Sequence, residues 1–507
     1  MSRKFYITTP LYYVNDVPHI GHSYTQIASD SIARWKRLHG LDVFFLTGTD
    51  EHGMKIAVSA AERGLSEKEH VDSVVQRFRS VWDKLHIRYD GFIRTTDEQH
   101  MKTVQGIFQK LHEKGDIYKG SYEGWYCAPC EAYWTKFQLD GKDVCPDCGR
   151  PIVSVKEEAY FFAISKYQDK LLKYINDNPD FIQPSSRRNE IIKFVESGLK
   201  DQNVSRTNFT WGVQVPFDEK HVIYVWFDAL INYISAIGYL SDENNFKKWW
   251  PADLHLMGKE IVRFHTVIWP IMLMALDLPL PKKVFGHGWW TVEGEKMSKS
   301  KGNMVDPLAL ADEFGADVVR YFLMREVPFG SDGDFSRQSL INRYNADLAN
   351  DLGNLLSRTL TMIEKYFSGK VPEGAGQNDQ LDEEFSMLTV QTPSAFAENM
   401  DKVAVTEALN NVWRLISHAN SYIEKKAPWT LAKKGDEAAL SRVLSNLFES
   451  LRVVSVLISP FMPDTSAAMR GQMGLPGEII YQKGSCKDNI GISVKKGQPL
   501  FPKIQPK

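Results

Sequence analysis

Strand, helix, strand and a polar loop follow one another within the first 53 residues, and this order constrains the fold more than any other feature. Phe5-Tyr6-Ile7-Thr8-Thr9 reads as a strand. Ile20, Tyr24, Ile27, Ala28, Trp35 and Leu38 recur at helical spacing, and Gly40 suits the end of that helix. Val43-Phe44-Phe45-Leu46 reads as a second strand that runs into Thr47 to Gly53. Such a unit joins parallel strands, so the expected core is a Rossmann-like parallel sheet in an α/β domain. Ligands of such sheets lie at the carboxyl ends of the strands, where the loops after Thr9 and Leu46 meet.

The whole chain of 507 residues is too long for one domain of ~150 residues. Residues 118–220 carry cysteine pairs, many aromatics and short strand-like pieces such as Ala159 to Ile164, and read as an insertion. Strand character returns from His221 to Phe227, expected to rejoin the first sheet, and Phe285 to Val292 is expected to extend it. From Ile341 the pattern turns helical, with Tyr344, Leu348, Leu352, Leu355 and Met362 at steps of three, four and seven residues. The expected division is therefore a Rossmann-like domain over 1–117 and 221–290, the insertion, a loop domain over 291–340, a helical domain over 341–480 and a tail over 481–507. That tail holds six lysines against one aspartate and is expected to be basic and irregular.

Charge excludes a general electrostatic mode of binding. Lys and Arg number 61 against 63 Asp and Glu, a net −2, so an anionic partner must be held by local patches. The longest apolar stretch, Val267 to Leu276, is far short of the ~18 residues of a membrane span. The N-terminus lacks an apolar signal core, and four of the five cysteines cluster, so the expected compartment is the cytoplasm.

Three motifs carry chemistry. Pro18-His19-Ile20-Gly21-His22 sits at a strand-to-helix junction, where unsatisfied N–H groups and the helix dipole favour a phosphate. Two imidazoles there can donate to a phosphate during displacement, and Gly21 lets a flat base approach the backbone. The plainer alternative is two surface histidines beside a turn glycine. Lys296-Met297-Ser298-Lys299-Ser300-Lys301 lies between Gly294 and Gly302, and its lysines can reach triphosphate oxygens as movable charges, unless it is only a solvated basic loop. Cys127, Cys130, Cys145 and Cys148 form two Cys-x-x-Cys pairs separated by fourteen residues, a spacing that suits one tetrahedral zinc. With four thiolates the zinc would be structural, having no open position for water; the alternative is a site that has lost its metal.

The first two motifs and their order resemble class I aminoacyl-tRNA synthetases. Thr9-Pro10-Leu11-Tyr12-Tyr13-Val14-Asn15, Thr47 to Gly53, Trp226-Phe227-Asp228-Ala229 and Gly258-Lys259-Glu260-Ile261 through Trp269 look like the methionyl-tRNA synthetases in particular. This resemblance runs from about residue 5 to about residue 465 and leaves the tail without a counterpart. It implies activation of L-methionine with ATP, Mg²⁺ accompanying the triphosphate, and transfer of methionyl to the 3′ adenosine of tRNA(Met), initiator tRNA included. His19, His22, Lys296 and Lys299 would be catalytic, and His19, Gly21, His22, Glu260, Lys296 and Lys299 would bind ATP. Asp50 would hold the methionine ammonium, while Leu11, Tyr13, Trp226, Ala229, Tyr233, Ile261, Phe264 and His265 would form the side-chain pocket. Pro10 and Leu230 are not assigned contacts through their side chains. Asn350, Asn354 and Arg358, at four-residue steps on one helix face, would read the anticodon with Trp429 as a stacking platform; on spacing alone, packing between helices is the better reading of the two asparagines. The cysteines match the family's single-knuckle insertion, with one zinc per chain. A monomer is expected.

Two other classes fit parts of the sequence. A nucleotidylyltransferase would share the histidine motif but leaves the insertion and helical region unexplained. A silent RNA-binding or zinc-scaffold protein would keep the knuckle and helices without needing Asp50, both histidines and both lysines.

Overall fold

The computed structural model describes residues 3–15, 17–127, 132–134, 139, 141, 143–297, 302–475, 477, 479 and 489–505; of residues 122, 123, 132, 133, 155–157 and 296 only the backbone is described. The chain divides into two compact units. One holds residues 1–18, 41–83 and 88–287, the other residues 19–40, 84–87 and 288–507.

The core of the first unit is a seven-stranded sheet in which every pairing is parallel. Tyr12–Tyr13, Asp42–Asp50, Lys4–Thr8, Leu254–Gly258, Val284–His287 and Ile182–Gln183 follow in that order, and Gly91–Arg94 also pairs with Asp42–Asp50. The central strands are nearly continuous apolar runs because both faces are buried. Tyr6, Ile7, Phe45, Leu256 and Met257 are almost wholly inaccessible. Thr9, Asp50 and Gly258 all stand at carboxyl ends of adjacent strands, as a parallel sheet requires of its ligand side. The expected α/β class and parallel core are what the chain adopts.

One expected strand is different. Asp218–Ile223 does not rejoin this sheet; it pairs antiparallel with Ser205–Arg206 and Gln214–Val215 in a sheet of three, and the chain turns helical at Val225–Leu230. The physical reason is visible in its burial: Asp218, Glu219 and Lys220 stay accessible while His221, Val222 and Ile223 are buried, a pattern suited to a peripheral strand rather than one covered on both faces. Of the run expected over Phe285 to Val292, Val284–His287 extends the parallel sheet, and Trp290–Val292 belongs to another sheet in the second unit. Within the insertion, Ala132–Trp134, Ile117–Cys127, Val153–Phe162 and Gln202–Asn203 form a four-stranded antiparallel sheet.

The second unit opens with the helix Ile20–Leu38 and continues with Trp290–Val292, which pairs with Glu295–Lys296 and Gly333–Phe335. Beyond it the unit is helical. Gln380–Asp401, Val405–Lys426 and Glu437–Ile458, of 22 residues each, pack on one another. Asp382 joins all three: its carboxylate binds Lys426 and Arg442 and accepts from Tyr422 Oη, and despite burial these partners pull its pKa down to about 2. The described end of the chain has little regular structure, as expected, yet it is packed down. Tyr344 Oη donates to Pro502 O at 3.0 Å, Asn345 exchanges two hydrogen bonds of 2.9 Å with Ile504, and Phe501 is buried against Tyr344.

Candidate functional site

A cavity opens at the carboxyl ends of the central strands. Leu11, Tyr13, Asp50, Trp226, Ala229, Tyr233, Ile261 and His265 all line it, which brings together eight of the nine residues expected there. Asp50 ends its strand and is 3% exposed. Phe264 is the exception: it stacks on Trp226 with ring centres 3.8 Å apart and planes 3° from parallel, so it backs the wall and does not line it. Tyr13 meets Trp226 edge-on, with 6.4 Å between ring centres. Pro10 and Leu230, which were not assigned contacts, line the cavity, as does Asn232. Asn232 follows Ala229 by three residues, so helical spacing from Ala229 would have found it.

Phe264 to Ile268 is a π-helix, and its widened turn brings His265 inward. His265 Nδ1 donates to Ile261 O at 2.9 Å, which leaves Nε2 to accept from Tyr233 Oη at 2.7 Å. Burial drives the pKa of His265 down to about 4 and that of Tyr233 up, so both are neutral at pH 7. The cavity thus brings together a carboxylate, an aromatic wall and a neutral hydroxyl–imidazole pair. That combination suits a small zwitterion with an apolar side chain. Glu260 lies in the short turn Lys259–Ile261 after the strand Leu254–Gly258.

The histidine motif caps a helix, as its position in the sequence predicts. Gly21 N donates to His19 Nδ1 at 3.1 Å and His19 N donates to His22 Nδ1 at 3.1 Å, a reciprocal capping box. With Nδ1 accepting, each neutral ring carries its proton on Nε2. Burial, reinforced by His19, holds His22 well below the usual imidazole range, so it offers a neutral N–H and not a positive charge. A Cβ on Gly21 would meet His19 Cε1 at 2.9 Å, so this glycine already makes room for the first histidine of its own motif. The Met297 methyl lies 3.9 Å from the same point, and Ile20 N donates to Val305 O at 3.3 Å; the lysine segment and the helix start therefore meet. Lys296 is described only by its backbone, paired with Thr291, and Lys299 lies outside the described residues.

The Sγ atoms of Cys127, Cys145 and Cys148 lie within 4.8 Å of one another, with Cys127 and Cys148 3.6 Å apart. Zinc–sulfur bonds of about 2.3 Å in a tetrahedron put sulfurs about 3.8 Å apart, so these three thiols fit one metal ion. A turn shapes the second pair: Cys145 N donates to Arg150 O and Gly149 N to Cys145 O, both at 2.8 Å. Cys130 lies outside the described residues.

In the helical unit, Asn350 and Asn354 are exposed and so do not pack between helices. The straight stripe expected of them is altered: Asn350 sits in a π-helix, Tyr344–Gly353, and Asn354 begins the α-helix that carries Arg358. Arg358 binds Glu424 at 2.7 Å and lies 5.7 Å from the centre of the Trp429 ring, which is 37% exposed. Trp429 therefore presents an accessible indole beside a guanidinium.

Comparison with known proteins agrees with this arrangement. The family model "tRNA synthetases class I (M)" matches residues 5–154 and 149–360, and "Anticodon binding domain of methionyl tRNA ligase" matches residues 371–504. The methionine–tRNA ligase of Caldanaerobacter subterraneus subsp. tengcongensis is 58% identical over 99% of this chain and 79% of its own length; that of Thermotoga maritima is 50% identical over 99% and 81%. A solved structure of Mycobacterium tuberculosis methionyl-tRNA synthetase in complex with methionyl-adenylate superposes with a TM-score of 0.94 at 40% identity, covering 99% of this chain and 100% of that one. These matches extend the resemblance past residue 465: the anticodon-domain model reaches residue 504, so the tail does have a counterpart in the family. Fold, cavity and relatives agree, and the chain belongs to the methionine–tRNA ligases, among the class I aminoacyl-tRNA synthetases.

Proposed function

We propose that the cavity at the strand ends binds L-methionine, with Asp50 on its ammonium, the Trp226 wall against its thioether, and the Tyr233–His265 pair beside it. The observation that carries this reading is the convergence of one buried carboxylate with neutral aromatic surfaces in a single cavity. A carboxylate pairs with the amine, and polarisable rings suit sulfur. Membership of the family makes the chain an aminoacyl-tRNA ligase for methionine. In the first reaction the methionine carboxylate attacks the α-phosphorus of ATP, forming methionyl-adenylate and releasing pyrophosphate. In the second the 3′ adenosine of tRNA takes the methionyl group.

The chain's own contribution is to position groups and stabilise charge. His19 and His22 donate Nε2–H to phosphate oxygens, Gly21 and Glu260 belong to the ATP site, and Lys296 and Lys299 supply movable positive charge. Mg²⁺ bound with ATP would neutralise triphosphate charge. Cys127, Cys130, Cys145 and Cys148 would hold one structural zinc. Asn350, Asn354, Arg358 and Trp429 would contact the anticodon of tRNA(Met), the initiator included. The working state would be a cytoplasmic monomer; among the described residues no helix is long and apolar enough to cross a membrane.

Methionine-dependent exchange of pyrophosphate into ATP tests the reading. Exchange that requires methionine supports it. Exchange that does not respond to methionine favours a nucleotidylyltransferase, and no exchange favours a scaffold.

A further inference from the structure

Five buried polar residues form a connected chain that reaches the cavity at Asn232. His52, two residues after Asp50, donates Nδ1–H to one carboxylate oxygen of Asp228 at 2.7 Å, and His100 donates Nε2–H to the other at 2.8 Å. His100 Nδ1 lies 2.7 Å from Ser235 Oγ, which donates a long hydrogen bond of 3.4 Å to Asn232 O. Asn232 Nδ2 in turn donates to Ala229 O at 2.6 Å. Four of these residues, His52, His100, Asp228 and Asn232, are no more than 4% exposed.

Three elements meet at this carboxylate. Asp228 belongs to the helix Val225–Leu230, which also presents Trp226 and Ala229 to the cavity. His52 belongs to the loop that leaves the strand ending in Asp50, and His100 to the helix Glu98–Glu113. The loop is bracketed on its other side: Trp211 Nε1 donates to Glu51 O at 2.6 Å and Gly53 N donates to Trp211 O at 3.2 Å. A buried carboxylate is expensive unless its lone pairs are filled, and here two imidazoles fill one oxygen each. Burial pushes the pKa of Asp228 up, but the two histidines outweigh it and hold the group below the usual range, so it stays ionised. Paired hydrogen bonds fix direction as well as distance, which apolar packing of a short helix does not.

We propose that Asp228 is a positioning residue for methionine: with His52 and His100 it sets the distance between the Asp50 loop, which takes the ammonium, and the Trp226–Ala229 helix, which takes the thioether. This rests on the methionine reading of the cavity. A carboxylate that touches both elements without lining the cavity acts on binding only through them.

The test combines pyrophosphate exchange, amide hydrogen exchange and thermal melting for Asp228→Asn, His52→Ala and His52→Asn. Asp228→Asn is expected to raise KM for methionine roughly 10- to 100-fold while KM for ATP changes less than about twofold. Amides of residues 50–53 and 225–232 should exchange faster in that variant at temperatures well below melting. His52→Ala should act in the same direction. His52→Asn, whose side-chain N–H can replace Nδ1, should recover most of the methionine affinity. Should Asp228→Asn fold poorly, the His52 pair still decides between positioning and bulk stability. An unchanged methionine KM, equal losses for both substrates, or failure of asparagine to rescue would overturn the proposal. If the wild-type protein shows no methionine-dependent exchange, the functional reading fails separately, and hydrogen exchange alone reports whether Asp228 couples the two segments; unaltered exchange there would also overturn the coupling.

Discussion

Burial makes His265 a neutral hydrogen-bond acceptor, and that state has a cost that acid reveals. Its pKa falls from the ordinary 6.5 to about 4, so between these values the unfolded chain binds a proton that the folded chain refuses. Stability from this group is therefore complete above pH 6.5 and is lost as the pH drops toward about 4. Between pH 7 and pH 5 the loss is about 2 kcal/mol. Urea unfolding of wild type and His265→Asn at both pH values is expected to show a smaller acid loss in the variant. Equal losses would mean that His265 is not held neutral. The pocket was readable in the sequence mainly as isolated residue types: a carboxylate in a polar loop, and aromatics that any core could absorb. What made Trp226 and Tyr233 a wall was the stacking of Phe264 and the hydrogen bond to His265, which depend on partners more than thirty positions away.

Elements were legible where their period was regular. The first strand, its helix and the second strand were visible because continuous apolar runs and a 3.6-residue stripe are distinct. The two π-helices, Phe264–Ile268 and Tyr344–Gly353, were not, because a widened turn is a change of hydrogen-bond partner that leaves residue types unaltered. Asp218–Ile223 misled for a related reason: apolar residues identify a strand but not its sheet. Of the four cysteines expected to share a metal, the three that are described do gather, since metal spacing is local chemistry. Cys145→Ser is expected to release zinc and to make residues 118–162 sensitive to protease while the parallel sheet keeps its unfolding transition, because a small sheet that a metal would close has little core of its own. Metal analysis should find one zinc in the wild-type protein. Zinc-free wild-type protein, or full zinc in the variant, would contradict a structural metal.

At the scale of the whole molecule, the cavity proposed for methionine belongs to the first compact unit, and Arg358 and Trp429 to the second, on helices other than the one that begins at the histidine motif. Trp429→Ala should therefore lower tRNA charging roughly 5- to 150-fold, the worth of one stacked base, with pyrophosphate exchange and melting temperature nearly unchanged. Equal losses in both reactions with a lower melting temperature would instead make Trp429 a packing residue. The central claim is that the chain activates methionine in the cavity headed by Asp50, and pyrophosphate exchange measured with methionine, for wild type and Asp50→Asn, tests it most directly. The expected result is methionine-dependent exchange in the wild type that falls at least about 100-fold in kcat/KM on Asp50→Asn, since a buried ammonium would lose its charge partner. Exchange that needs no methionine, or that survives Asp50→Asn within a factor of about two, would contradict it.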